Sequence, residues 1–221
     1  MDEKLSELIT ISEPRSPISE AYRTLRTNLD FASLDRALKT LVVTSAGVGE
    51  GKSTTLANLA VVSAQAGRKV VLVDADLRRP TLHQIFGLGN ETGLTTVMVD
   101  DAALAAPPLQ PTGVEGLSVL TSGPLPPNPA ELMGSRRMEE VVAVLAERAD
   151  QVFFDTPPVV AVTDAAVLST RVDGVLLVIS AGKTRREFAR TAVQRLEQIN
   201  ARLVGTVLTN VQVGAGFEGY Y

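Results

Sequence analysis

The sequence predicts an α/β fold in which a mostly parallel sheet lies between two layers of helices. Apolar segments of strand length alternate with segments of helical periodicity along nearly the whole chain. The strand segments are continuously apolar, which is typical of parallel strands buried on both faces. A glycine-rich turn joins the first strand to the next helix. These observations favour one domain built around that turn.

The predicted strands are short and rich in valine and leucine. They cover residues 41–45, 69–74, 117–121, 151–155, 174–180 and 203–210. Helices are predicted at 17–34, 53–63, 93–105 (weakly), 130–134, 136–149, 163–170 and 185–200. Ser16 and Pro17 form a favourable start for the helix at 17–34. Thr184 and Glu187 predict a capping box at the start of the helix at 185–200.

The glycine-rich turn has the pattern of a phosphate-binding loop. The residues of the pattern are Gly47, Gly49, Gly51, Lys52 and Ser53. Its glycines let successive backbone N–H groups face an anion at the start of a helix. The lysine would reach the β- and γ-phosphates, and the serine hydroxyl would bind Mg²⁺. Ala46 replaces the first glycine of the strict pattern, which the backbone tolerates if φ there is negative.

Two other predicted strands end in carboxylates. Asp74 and Asp76 stand at the end of one, and Asp155 ends another. Because the carboxyl ends of parallel strands meet at one edge of a sheet, these acids should lie beside the phosphate-binding loop. Oxygen ligands are what Mg²⁺ prefers, so the sequence predicts magnesium-dependent phosphate chemistry.

Composition excludes several other classes of protein. The 221 residues carry a formal net charge of −4, which argues against a nucleic-acid-binding protein. Without cysteine, and with one histidine, the chain offers no disulfide, thiolate metal site or cysteine nucleophile. No apolar run is long enough to span a bilayer and no signal peptide is recognisable. We therefore expect a cytoplasmic protein that reaches a membrane only through a partner.

Three segments are predicted from the distribution of polar residues. Residues 1–16 form a polar leader, 17–210 the domain, and 211–221 a flexible, glycine-rich tail that ends in Tyr220 and Tyr221. Within the helix at 17–34 there is an apolar stripe, and charged residues lie on its other side. The charged residues are Glu20, Arg23 and Arg26. Such a face is either solvated or a contact with another subunit.

Several motifs together resemble a known family over nearly the whole chain. They are Glu20-x-x-Arg23-x-x-Arg26, Gly49-Glu50-Gly51-Lys52-Ser53, Val71-Leu72-Val73-Asp74-Ala75-Asp76-Leu77-Arg78, Gly123-Pro124, Pro127-Asn128-Pro129-x-Glu131-Leu132, Phe154-Asp155-Thr156-Pro157-Pro158 and Ala181-Gly182-Lys183-Thr184. The chain resembles the bacterial protein-tyrosine kinases of capsule and exopolysaccharide synthesis, in the form in which the kinase is a separate cytoplasmic chain. This resemblance implies the P-loop NTPase fold of the MinD and ParA ATPases.

The resemblance also implies a role for each residue of the site. The nucleotide-binding residues are Gly47, Val48, Gly49, Glu50, Gly51, Lys52, Ser53, Thr54 and Asn210. Ser53, Asp76 and Asp155 would hold Mg²⁺. The catalytic residues are Lys52, Asp74 and Asp76, with Asp74 orienting or deprotonating the phenol that accepts phosphate from ATP.

The remaining implications concern assembly and regulation. Glu20, Arg23 and Arg26 would build a ring of subunits, in which Tyr220 and Tyr221 accept phosphate from a neighbouring subunit. A transmembrane polysaccharide co-polymerase would activate the kinase, and other proteins would be phosphorylated on tyrosine. The activity would regulate capsule or exopolysaccharide synthesis and export.

Two other functions fit the same fold. A partner-gated ATPase switch of the MinD or ParA type would carry a signature lysine five residues before Lys52, where this chain has Gly47. A membrane-binding switch would also need an amphipathic basic C-terminal helix, which the glycine-rich tail does not provide. A small-molecule kinase or ligase is the third possibility, although the charged helix and the tail favour a protein substrate.

Overall fold

The computed structural model describes residues 7–34 and 36–211 and has the predicted α/β architecture. The strands are β1 (Thr40–Ser45), β2 (Val70–Asp74), β3 (Gln110–Pro111), β4 (Leu117–Leu120), β5 (Gln151–Asp155), β6 (Gly174–Ser180) and β7 (Leu203–Thr209). The helices are α1 (Ile9–Ser12), α2 (Pro17–Ala32), α3 (Lys52–Gln65), α4 (Leu82–Phe86), α5 (Leu94–Val99), α6 (Asp101–Ala105), α7 (Pro129–Gly134), α8 (Arg136–Arg148), α9 (Asp164–Ser169) and α10 (Arg186–Gln198).

Within the described residues, the sheet has seven strands in the order β3-β4-β2-β5-β1-β6-β7. All neighbouring strands are parallel except β3 and β4. The two-residue strand β3 is too short to be predicted from its sequence. Since β1 lies between β5 and β6, the loop after β1 adjoins the ends of both. Ligands bind at this carboxyl edge in open parallel sheets.

Alternate residues of each strand face opposite layers of helices. On one face Val42, Val71 and Phe154 pack with α5, α8 and α9. On the other face Leu41 and Leu72 pack with α3 and α4. The strands are therefore buried on both faces, as their continuous apolar sequences predict. The three-layer architecture is confirmed.

The prediction of a polar leader for residues 1–16 was wrong where the structure describes them. Residues 9–12 form α1, and Leu8 is buried in the core beside α3. The hydroxyl of Thr10 donates to Asn58 Oδ1 at 2.8 Å. Even a polar residue of this segment is therefore buried, with its hydroxyl paired to a residue of α3. The prediction failed because the segment has few apolar residues and its packing depends on a distant helix.

Local signals placed most helix ends correctly. Ser16 Oγ accepts a hydrogen bond from the Ser19 N–H at the start of α2, as the Ser-Pro pair predicts. The weak helix predicted at 93–105 is two helices, because Asp100 ends α5 and its carboxylate caps α6. Among the described residues, none of the helices is both long and apolar enough to cross a bilayer.

Candidate active site

The phosphate-binding loop (residues 46–53) connects β1 to α3. Gly49 and Gly51 have φ values of 70° and 84°, which favour glycine. Among the described residues, positive φ occurs outside glycine only at Asn200 and Asn210, so Ala46 has the negative φ that its side chain requires. The departure from the strict pattern is therefore compatible with the turn.

The side chain of Glu50 holds this loop together from inside. Its carboxylate is buried and accepts hydrogen bonds from the Ala46 N–H at 3.1 Å and from the Thr184 hydroxyl at 2.6 Å. The predicted capping box of α10 was wrong, because Thr184 makes this contact instead and the Arg185 side chain makes no cap. Glu50 was predicted to bind nucleotide, yet its carboxylate contacts its own loop.

Two further contacts come from the ends of β6 and β7. Lys183 Nζ donates to the Gly49 carbonyl at 2.8 Å, and the Thr209 hydroxyl donates to the Glu50 carbonyl at 2.8 Å. Asn210, predicted to bind nucleotide, is exposed and donates to Ser180 Oγ at 2.8 Å. The sequence alone does not reveal these hydrogen bonds to the loop, because they depend on the position of β6 beside β1.

Lys52 is the first residue of α3 and joins two of the predicted acids. Its Nζ lies 3.1 Å from Asp76 Oδ2, 3.1 Å from Asp155 Oδ1 and 3.0 Å from Ser53 Oγ. Burial alone would lower the pKa of Lys52, but the charges of Asp155 and Asp76 outweigh it and leave the pKa raised. The structure thus brings together the lysine, the serine and both acids that the sequence predicts to bind metal.

Asp155 and Asp74 are register partners on adjacent strands and are both fully buried. Burial raises the pKa of Asp155 despite the attraction of Lys52. Within the described chain, Asp155 Oδ2 has no hydrogen-bond partner. A buried carboxylate oxygen without a partner is costly unless something binds it, so these residues fit a magnesium ion held beside Ser53.

Asp74 is held beneath the cavity and is not part of its lining. Its Oδ2 accepts hydrogen bonds from the N–H groups of Thr81 and Leu82 at 3.0 and 2.9 Å. Its Oδ1 has no partner among the described residues. Burial, with repulsion from Asp155, raises the pKa of Asp74 to about 7. Asp74 thus anchors the start of α4 and retains one oxygen that could accept a proton.

An ion pair that the sequence does not reveal fixes the segment after β2. Arg78 forms a bidentate pair with the buried Asp164, through Nε at 2.8 Å and Nη2 at 3.1 Å. Asp76 Oδ1 accepts from the N–H groups of Arg78 and Arg79. The position of Arg78 directly after the acids was the available signal, but its partner lies 86 residues away.

A cavity of about 820 Å³ opens above these groups. The phosphate-binding loop forms one side. Its lining also includes Ile85 from α4 and Pro158 and Val162 from the segment after β5, which together we call the apolar wall. Arg78 and Arg79 line the cavity as well. The arrangement offers an anion-binding side and an apolar side around one space.

Comparison with known proteins identifies the family. A family model described as ParA, NUBPL iron-transfer P-loop NTPase, matches residues 36–215. The tyrosine-protein kinase YwqD of Bacillus subtilis is 48% identical over 97% of this chain and 90% of its own length. The chain belongs to the bacterial tyrosine-protein kinases.

Solved structures agree with this assignment. The chimerical protein CapA2B2 is 41% identical to the kinase, with a TM-score of 0.87 over 92% of this chain and 89% of that one. The kinase domain of the Escherichia coli tyrosine kinase ETK is 33% identical, with a TM-score of 0.87 over 98% of this chain and 89% of that one. The predicted P-loop NTPase fold is thereby confirmed.

The predicted oligomerisation residues lie on α2 of the kinase, away from the cavity. Glu20 and Arg23 form an ion pair within the chain, and Arg23 also donates to the Pro14 carbonyl. Arg26 donates to the Val62 carbonyl at 2.9 Å, which ties α2 to α3. Their role between subunits stays a prediction. Tyr220 and Tyr221 lie outside the described residues.

Proposed function

We propose that this kinase transfers the γ-phosphoryl group of ATP, bound with Mg²⁺, to tyrosine side chains. One observation carries the proposal. Lys52 is paired with two buried acids beside a glycine-rich loop, at a cavity that apolar side chains also line. Phosphoryl transfer needs positioning and charge neutralisation more than covalent participation of the protein. The site provides both.

The nucleotide would be held by the N–H groups of residues 47–54 and by Lys52, and the metal by Ser53, Asp76 and Asp155. When bound, Mg·ATP supplies the phosphoryl group and an ADP leaving group. The ammonium group of Lys52, which contacts the two carboxylates in the free protein, would then also contact phosphate oxygens. The unpartnered Oδ2 of Asp155 is available for the metal or its water shell.

Asp74 is buried beneath the cavity lining, so it would orient the phenol and accept its proton at Oδ1 only after the bound substrate exposes that oxygen. An ordinary carboxylate is a weak base for a phenol with a reference pKa near 10. A pKa of about 7 makes Asp74 a better proton acceptor at neutral pH. The phenolic oxygen would then bond to phosphorus as the bond to the leaving ADP breaks.

We further propose that the kinase phosphorylates Tyr220 and Tyr221 of a neighbouring copy in a ring built through Glu20, Arg23 and Arg26. The motif on α2 and the tyrosines of the tail support this proposal, together with the resemblance to capsule and exopolysaccharide kinases. A transmembrane co-polymerase would activate the kinase and bring it to the membrane. Phosphorylation would regulate synthesis and export of the polysaccharide.

The decisive experiment is incubation of the purified kinase with ATP and Mg²⁺, followed by mapping of phosphate by mass spectrometry. Phosphate on tyrosine is expected, whereas ATP hydrolysis without phosphotyrosine would favour the ATPase switch. Mixing a Lys52→Met chain with an active chain carrying Tyr220→Phe and Tyr221→Phe tests transfer between chains. Phosphate should appear on the Lys52→Met chain.

A further inference from the structure

We propose that the cavity binds an acidic, tyrosine-bearing segment against its apolar wall. The apolar wall would hold the phenol ring, and Arg79 would pair with a carboxylate two residues before the tyrosine. This inference rests on the proposed function and deepens it, because it names what distinguishes one tyrosine from another. The natural occupant is residues 217–221 of this chain, Phe217-Glu218-Gly219-Tyr220-Tyr221.

The apolar wall provides the contact surface that a phenol needs. Ile85 and Val162 are half-buried, so part of each side chain remains available to a ligand, and Pro158 lies between core and cavity. An aromatic ring buries a large apolar area, and its hydroxyl stands at the far end. The shorter side chains of serine and threonine would leave the wall uncovered. The wall therefore favours tyrosine as the acceptor.

Arg79 is the cation best placed to read a neighbouring acid. Lys52 is occupied by Asp76 and Asp155, and Arg78 by Asp164. The side chain of Arg79 makes no ion pair or hydrogen bond with any described residue, although it is exposed and lines the cavity. The backbone N–H of Arg79 donates to Asp76 Oδ1 at 3.0 Å, and this hydrogen bond holds the backbone of Arg79 beside the site.

The tail places an acid and a tyrosine two residues apart. In an extended segment, residues two apart project from the same side at about 6.6 Å. Glu218 and Tyr220 have this relation, whereas Tyr221 projects from the opposite side. A segment whose Glu218 pairs with Arg79 would thus present Tyr220 to the wall. The proposed pairing therefore predicts that Tyr220 is phosphorylated before Tyr221.

A charge-exchange experiment tests the role of Arg79. The enzyme is the full chain with Tyr220→Phe and Tyr221→Phe. The acceptor is an amidated peptide of residues 211–221, either with its native Glu218 or with the substitution Glu218→Lys. Affinity is measured without ATP by fluorescence anisotropy, and KM by phosphate incorporation. The native peptide should bind and react about fivefold better than the Glu218→Lys peptide. Arg79→Glu should reverse this preference.

Two variants make the charge experiment specific. Arg136→Glu changes the net charge equally on an exposed helix end outside the cavity lining, and should leave the preference unaltered. Glu7→Gln removes the exposed acid of the cavity lining and should strengthen the preference for Glu218. The role of Arg79 would be overturned if Arg79→Glu left the preference for the native peptide unchanged. It would also be overturned if Arg136→Glu changed that preference as much as Arg79→Glu does.

The apolar wall is tested by truncation. Val162→Ala and Ile85→Ala should each raise the KM for the native peptide about tenfold while the KM for ATP changes far less. Ile85 also packs against the core, so thermal unfolding is measured, and Val162→Ala decides the matter if Ile85→Ala is unstable. An unchanged peptide KM in a folded Val162→Ala chain would remove the wall from the proposal.

Failure of this inference is distinguishable from failure of the proposed function. If the wild-type kinase phosphorylates tyrosine but Tyr221 reacts first, or the charge exchange has no effect, the recognition site is wrong and the kinase activity stands. If no phosphotyrosine forms on any acceptor, the proposed function itself fails. Anisotropy still reports binding of the peptide in that case.

Discussion

The two sides of the cavity are encoded in different ways. The phosphate-binding loop is continuous in sequence, and its glycines and lysine predict both its backbone and its chemistry. The apolar wall combines Ile85 with residues of the segment after β5, which only the strand order brings together. Chemistry that depends on backbone N–H groups can be recognised from a short motif. Specificity that depends on side chains from distant loops needs the fold.

The largest expected effect comes from breaking the side that is continuous in sequence. Lys52→Met should reduce phosphoryl transfer at least about 100-fold, because it removes the cation that neutralises phosphate charge. The fold should persist, since the two carboxylates left behind can take up protons. Steady-state transfer assays and circular dichroism check both expectations. Substantial activity in a folded variant would contradict the assignment of the loop.

Asp74 lies beneath the cavity and holds the start of α4, and the titration of its carboxyl group offers a second test. Its folded pKa of about 7 is raised above the usual value of 3.8, so the folded protein binds the proton more tightly than the unfolded chain does. Stability from this group is therefore fully present below about pH 4 and is lost as the pH rises through 7. The loss is on the order of 4 kcal/mol.

The measurement compares wild-type kinase with Asp74→Asn by denaturant unfolding between pH 5 and pH 8. The difference in unfolding free energy should grow in favour of the variant as the pH rises, because an amide cannot ionise. If Asp74 is the base, wild-type transfer should rise with pH and level off above about 7, and the variant should lose that dependence. Parallel stability curves for the two proteins would show that Asp74 does not titrate here.

The fold was predictable to the extent that its signals are local. Continuous apolar strands, the Ser16-Pro17 start of α2 and the glycine-rich loop predict three layers and the site edge. The capping box at Thr184 was wrong because a better partner, Glu50, lies in a different loop. The packing of Thr10 against Asn58 was missed for the same reason. A polar side chain does not reveal its distant partner in the sequence.

Through Thr184, the phosphate-binding loop also depends on a residue that is distant in sequence. Thr184→Val keeps the shape but removes one of the two donors to the buried Glu50 carboxylate. Leaving that carboxylate short of a donor costs about 1–3 kcal/mol. The loop should lose its preferred conformation, and the KM for ATP should rise about tenfold with a smaller change in kcat. Thr184→Ser restores the hydroxyl and should restore the KM, which a general loss of packing would not permit.

The smallest effect on the site should come from α2, which lies on neither side of the cavity. Changing Glu20, Arg23 and Arg26 together to Ala should lower the unfolding free energy by only about 1 kcal/mol, because the lost contacts are partly exposed. Release of monomers is nevertheless expected, because we propose that the ring is built through this face. Sedimentation velocity measures the mass, and Arg136→Ala on α8 serves as a charge-removing control. Transfer to the added peptide should persist in the triple variant, whereas phosphorylation of Tyr220 between chains should fall. An unchanged sedimentation coefficient would show that these three residues do not join subunits. Their role would then be limited to the contacts within the chain, which are the Glu20–Arg23 ion pair and the hydrogen bonds to Pro14 and Val62.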